Sequence, residues 1–240
     1  MENIKTMFRE TKKLADTFDG WLTEREEKFL FLEALRSNPR GVILEIGSWQ
    51  GKSTTYLVNG VALGKNKNKI YAIDPHIGSI EHEAKLKNKS SLEKFKENME
   101  KVGISGKIET IIDKSQSAAK DWKLPISLLW IDGDHSYVGA KADFDLYFPF
   151  LVKGGVVALH DSTQGSLPRV VYESFKKKGV HKIRLIDSIA YAKISKNENK
   201  DLRDYFVLYL IRLYPLFRKL KVFKLFKVVI KKIISKMENQ

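Results

Sequence analysis

The run Val42-Ile43-Leu44-Glu45-Ile46 is apolar but for one acid, and Gly47-Ser48-Trp49-Gln50-Gly51-Lys52-Ser53-Thr54 follows it directly. No other stretch restricts the fold of this chain so tightly. A short apolar run of this kind reads as a strand buried on both faces, as in a parallel sheet. Two glycines then punctuate a tight turn, and Ser53 to Val58 starts a helix. Strand, glycine turn and helix N-terminus together form a cofactor cradle. Glycine lets the backbone approach a ligand, and the free N–H groups of the first helical turn point at it.

The spacing narrows the ligand. A dinucleotide fingerprint needs Gly-x-Gly-x-x-Gly, whereas Gly47 and Gly51 are separated by three residues. Gly51-Lys52-Ser53 fits the end of a phosphate-binding loop, but Gly47 stands one residue too close to complete it. Glu45 would also repel a triphosphate, so the acid suits a cationic cofactor better. Glu45-x-Gly47-x-x-x-Gly51 resembles motif I of the class I S-adenosylmethionine (SAM) methyltransferases.

The remaining chain alternates strand and helix patterns. Residues 1–40 read as helices in front of the sheet, with Thr23-Glu24-Arg25-Glu26 in the form of a capping box. Ile70 to Asp74 is a second buried strand, and Asp74 at its end is placed to accept the two hydroxyls of a ribose. His76 to Lys89 reads as a polar flap, with His82 exposed, and Ser91 to Val102 as an amphipathic helix. Lys107 to Ile112 is strand three, followed by Ser115 at a position where methyltransferases contact adenine. Pro125 to Asp132 is a central strand, Val138 to Leu151 a helix, and Gly154-Gly155 a turn opening a strand that closes on His160-Asp161. Leu167 to Lys178 is helical, and His181 to Ser195 holds two strands of an antiparallel hairpin. The expected fold is α/β: a Rossmann-like, doubly wound, seven-stranded sheet, mostly parallel with a terminal antiparallel hairpin. The expected division is an N-terminal helical cap over 1–40, a cofactor-binding domain over 41–196 and a basic tail over 197–240.

Two strand ends carry the chemistry. One reads Asp132-Gly133-Asp134-His135-Ser136-Tyr137 and the other His160-Asp161-Ser162. Ligands of open α/β sheets bind beyond the carboxyl ends of the strands, so neighbouring strands would aim Asp132, His135, His160 and Asp161 into one pocket. Oxygen ligands with one imidazole suit magnesium or manganese, with iron(II) also open. A metal held in that pocket would lower the pKa of an acceptor hydroxyl, and His135, three residues past Asp132, could take its proton. The alternative is structural: acids that cap helices and a histidine bonded to backbone.

Asp132-Gly133-Asp134-His135-Ser136-Tyr137, with Asp143, Gly154-Gly155 and His160-Asp161, resembles a class I SAM-dependent methyltransferase. The resemblance spans about residues 40–195 and is greatest to the bacterial family of metal-dependent macrolide sugar O-methyltransferases and cephalosporin hydroxylase-type proteins. It implies magnesium on Asp132 and His160-Asp161, with His135 as base. The sequence departs from those relatives at His160, where they have Glu. Glu45, Gly47, Gly51, Ser53, Asp74, Ser115 and Asp132 make up the expected SAM site. The expected activity is O-methylation of a sugar, glycolipid or other hydroxylated small metabolite. The alternatives are a hydroxylase-like member of the same fold and a non-catalytic, membrane-docked SAM-binding module.

The formal charge of the 240-residue chain is +14, and residues 212–240 supply +8 of it. From Leu216, apolar positions recur at Leu220, Phe223, Phe226, Ile230, Ile233 and Ile234, with lysines between them. This pattern reads as a basic amphipathic helix for an anionic membrane surface, with docking on protein as the alternative. The body is only mildly basic, and nucleic acid is disfavoured as a partner. With no cysteine, disulfides and thiolate zinc sites are excluded. The expected location is the cytoplasm, peripheral to the inner face of the cell membrane; a homo-oligomer is left open.

Overall fold

The structure, a computed structural model, describes residues 2–77, 90–195 and 199–219. Its centre is one seven-stranded sheet of order β3-β2-β1-β4-β5-β7-β6. The strands are β1 (Val42–Ile46), β2 (Ile70–Ile73), β3 (Ile108–Ile111), β4 (Ile126–Ile131), β5 (Leu151–Leu159), β6 (Val180–Ile186) and β7 (Ile189–Ile194). The first five pair in parallel, and β7 runs antiparallel to both β5 and β6. This is the expected fold class. Chain order reverses between β1 and β4, so their carboxyl ends flank the crevice at the switch point.

Side-chain alternation along the strands divides the core in two. Ile43, Leu128, Trp130, Val156 and Ala158 face α1 (Glu2–Ala15), α2 (Glu24–Leu35), α3 (Lys52–Leu63) and α4 (Ser91–Lys101). Leu44, Ile46, Leu129, Ile131, Val157 and Leu159 face the other side. That side is covered by α5 (Ser115–Ala118), α6 (Tyr137–Tyr147), α7 (Leu167–Phe175) and α8 (Leu202–Lys219). Alternate residues of a strand point to opposite faces, so a strand with helices on both sides must be apolar throughout. This is why β1 and β4 are nearly continuous apolar runs, broken only by Glu45 and Ser127. The Thr23–Glu26 capping box that starts α2 is present in both directions.

Two expectations change. Gly154-Gly155 does not open β5. The register jumps from Ile126–Leu151 to Leu128–Val156, and Gly154 takes φ +80° in a bulge within the strand. Pro215 lies inside the last helix, α8, which continues through it to Lys219. Val207, Leu208 and Ile211 are buried against the domain, and Asp204 accepts from the Lys182 and Ile183 N–H groups at 3.0 and 2.6 Å. This anchoring offsets the one helical hydrogen bond that proline removes. The segment expected as tail from residue 197 therefore begins with a helix packed on β6 and α7. Most of the expected flap, and the amphipathic pattern beyond Lys219, lie outside the described residues.

At Gly47 φ is +88°, and an added Cβ would lie 2.2 Å from the Asp132 carbonyl oxygen. Gly47→Ala is expected to cost about 2 kcal/mol or more, or roughly 4–8 °C in Tm, with far-UV circular dichroism unchanged below the transition.

Candidate active site

Glu45 sits under the glycine turn and is completely buried. Its carboxylate accepts from the Ser53 hydroxyl and, at 2.6 Å, from the Thr54 hydroxyl. The acid and Ser53 thus tie β1 to the start of α3 from beneath and do not line the surface of the turn. Burial pushes the Glu45 carboxyl up to about 7, against the two hydroxyl hydrogen bonds that lower it.

Above this tie the turn is a cradle. Gly51, at φ +86°, precedes α3 with no side-chain cap. Ser48 Oγ and Gln50 Nε2 are buried without a hydrogen-bond partner. Lys52 turns away from the cradle, to Glu27 at 3.4 Å and Asp16 at 3.5 Å. That direction removes the lysine a phosphate-binding loop would use. Asp74 at the end of β2 accepts from the Trp49 N–H at 2.8 Å and the His76 N–H at 2.7 Å. A carboxylate has about four lone-pair sites, so Asp74 keeps capacity for a diol while it fixes the turn. Trp21, from the α1–α2 linker, stacks on Trp49 with ring centroids 4.8 Å apart.

Ser115 differs from expectation. Its hydroxyl donates to buried Asp143, so that proton is not offered to an adenine. Burial raises the Asp143 carboxyl to about 6, opposed by the Ser115 bond.

The two chemical strand ends do meet. Asp132, His135 and Asp161 each offer a ligand atom within 4.8 Å of the others. His135 Nε2 is 3.5 Å from Asp132 Oδ1 and 3.9 Å from Asp161 Oδ2, and its ring is half exposed. Asp161 lies at φ +49°, a left-handed conformation that Asp tolerates better than most residues. The bond with Asp132 raises the His135 pKa; burial opposes this, and the charge of Asp161 adds to it.

His160 falls outside that group of three. Expected as a metal ligand, it is buried with Nδ1 3.0 Å from Asp132 Oδ1 and Nε2 3.5 Å from Glu26 Oε2. Burial alone would lower its pKa, but Asp132 and Glu26 push it up to about 11. Glu26 in turn accepts from the Thr23 N–H at 2.9 Å and from Ser188 N–H and Oγ at 2.8 and 2.7 Å. Burial raises the Glu26 carboxyl, but His160 and these donors take it down to about 2. Sequence reasoning found Glu26 as a helix cap and missed its second role. The only local signal was that capping glutamate, because Ser188 and His160 come from distant strands.

Residues 44–162 match a family model described as a methyltransferase domain. Among solved structures, the chain is similar to a methyltransferase from Podospora anserina bound to S-adenosylhomocysteine. That match has 12% identity and a TM-score of 0.58, over 79% of this chain and 88% of that one. It is also similar to the O-methyltransferase TomG of Streptomyces achromogenes in complex with SAM (14%, TM-score 0.56, 79% and 89%). A third is an O-methyltransferase from Bacillus cereus bound to S-adenosylhomocysteine (17%, TM-score 0.54, 78% and 90%). At these identities the structural likeness shows the fold.

Glu45 gives a pH test. A carboxyl raised from 4.5 to about 7 on folding contributes stability below about pH 4.5, and that contribution is lost as pH rises through about 7. The Tm of ligand-free Glu45→Gln, relative to the parent chain, is expected to rise across this interval; differential scanning calorimetry between pH 4.5 and 8 measures it.

Proposed function

We propose that this chain, which carries a methyltransferase domain, is a class I SAM-dependent enzyme that methylates a hydroxyl of a sugar, glycolipid or other small metabolite with the aid of a divalent metal. The observation that carries this reading is the Asp132–His135–Asp161 group at the ends of β4 and β5, beside the glycine cradle of β1.

The cradle fits the donor by its own chemistry. The partnerless Ser48 Oγ and Gln50 Nε2, the uncapped start of α3 and the spare acceptor capacity of Asp74 match the polar groups of an adenosyl amino acid. Bound there, SAM supplies an electrophilic methyl carbon. Gly47, Gly51 and Asp74 shape its seat, and Glu45 and Ser53 hold the seat from below.

The acidic group fits a divalent cation. Glu26, Asp132 and Asp161 lie around one imidazolium, His160, which leaves the cluster net negative. A hard cation that keeps several waters and takes one or two carboxylates suits Asp132 and Asp161. It would polarise the acceptor oxygen. His160, fixed by Glu26, holds Asp132 in place. His135, half exposed and on the open side, takes the hydroxyl proton on a ring nitrogen. A cation held by the two acids would also weaken the pull that raises the His135 pKa, which would favour a neutral base. The O-methyltransferases among the structural neighbours support a hydroxyl acceptor. The run of lysines from residue 219 onward supports delivery to a lipid-linked acceptor at an anionic membrane surface.

His135→Ala is expected to lower methyl transfer from labelled SAM by at least about 100-fold. SAM affinity by calorimetry, with and without magnesium, should change less than about threefold. Unaltered turnover would remove His135 as base, and a matching loss of magnesium affinity would make it a ligand instead.

A further inference from the structure

The face that α8 turns away from the domain is apolar. Leu202, Tyr205, Phe206, Tyr209, Leu213 and Leu216 are all exposed, Leu202 at 90% and Leu216 at 60%. At 100° per residue these six fall within one stripe about 100° wide, and the buried Asp204, Val207, Leu208 and Ile211 lie opposite. Single exposed apolar side chains are ordinary, but a continuous helical stripe marks a contact surface.

Cations border the stripe. The Tyr172 ring of α7 lies 5.7 Å from Tyr209 and carries Arg212 at 4.4 Å and Lys176 Nζ at 5.0 Å from its centroid. The chain then continues beyond α8 with apolar residues every three or four positions and lysines between them. A second copy would bring the same +14 charge against this face, which disfavours self-association. Nucleic acid would meet the lysines but not the leucines and aromatics. Apolar side chains and tyrosines flanked by cations match the boundary between acyl chains and anionic headgroups.

We propose that this face of α8 docks on a bilayer bearing anionic phospholipid headgroups, and that the folded domain, beyond its tail, sits against the membrane. The inference rests on the membrane reading of the tail and extends it to a helix fixed on β6 and α7. Because α8 is held by Asp204 at the backbone of β6, docking through it also sets the orientation of the catalytic sheet.

The test uses the full chain and vesicles of phosphatidylglycerol with phosphatidylcholine, compared with phosphatidylcholine alone. The unaltered chain should sediment with the anionic vesicles only, and hydrogen exchange over residues 202–216 should slow when they are added. Phe206→Glu with Leu213→Glu should weaken binding at least about tenfold, while SAM binding by calorimetry stays intact. A second variant, Lys224→Gln with Lys227→Gln and Lys231→Gln, probes the tail separately. If the tail variant loses binding while exchange over 202–216 is unmoved and the α8 variant binds normally, the α8 proposal falls and the tail reading stands. If the unaltered chain sediments with neither vesicle, both fall. If light scattering shows a dimer that the α8 variant dissociates, a second copy covers the face and the proposal is overturned. None of these outcomes bears on methyl transfer to a soluble acceptor, which is measured separately.

Discussion

Buried charge around His160 holds the site end of this molecule together. One imidazolium lies between Asp132 of the β4 end and Glu26 of α2, with Asp161 also 3.7 Å away. Charges in such a place are costly unless each has partners. Here Glu26 accepts three hydrogen bonds, from Thr23 N–H and from Ser188 N–H and Oγ, and faces His160 at 3.5 Å, so the cost is met by geometry drawn from three parts of the chain. The consequence is mechanical. The N-terminal helices cannot shift without disturbing Asp132, and the β6–β7 turn is tied to the same carboxylate. A cap that looks like a lid in the sequence is a wall of the site in the structure.

That difference shows what the sequence makes legible. Periodicity and glycine punctuation are local, and they located every strand of the sheet to within a few residues. The capping box at Thr23 was equally local. The convergence of Asp132, His135 and Asp161 was readable because both clusters follow apolar runs, and strand ends in an open parallel sheet share one edge. Partner choice was not readable. His160 and His135 look alike as histidines after strands, and only the tertiary structure shows that His160 is buried between Asp132 and Glu26, the latter 134 positions earlier in the numbering, while His135 stays half exposed. The Ser115–Asp143 bond was unreadable for the same reason, since Asp143 comes from another element.

Motif chemistry was also refined by direction. Glu45 invited the reading of a carboxylate facing a positive ligand. The structure puts it below the turn, where it selects Ser53 and Thr54 and stiffens the cradle. Lys52 looked like a phosphate lysine and instead joins Lys12, Asp16 and Glu27 among the N-terminal helices. The residues most prominent in the motif therefore build the cradle's frame. The groups left facing it are quieter ones: Ser48, Gln50 and the backbone start of α3.

This division of labour bears on how the two histidines could act in one reaction. A base must be able to lose its proton near neutral pH, and a fixed counter-charge must not. Two near carboxylates raise the pKa of either ring, but His160 is enclosed by them and His135 touches them from the solvent side. Under the proposed metal assistance, a divalent cation held by Asp132 and Asp161 would relieve His135 first, because its raised pKa rests on those two acids. His160 would keep Glu26. The same ion that activates an acceptor oxygen would thus also release the base beside it, while the buried imidazolium continues to hold Asp132 in position.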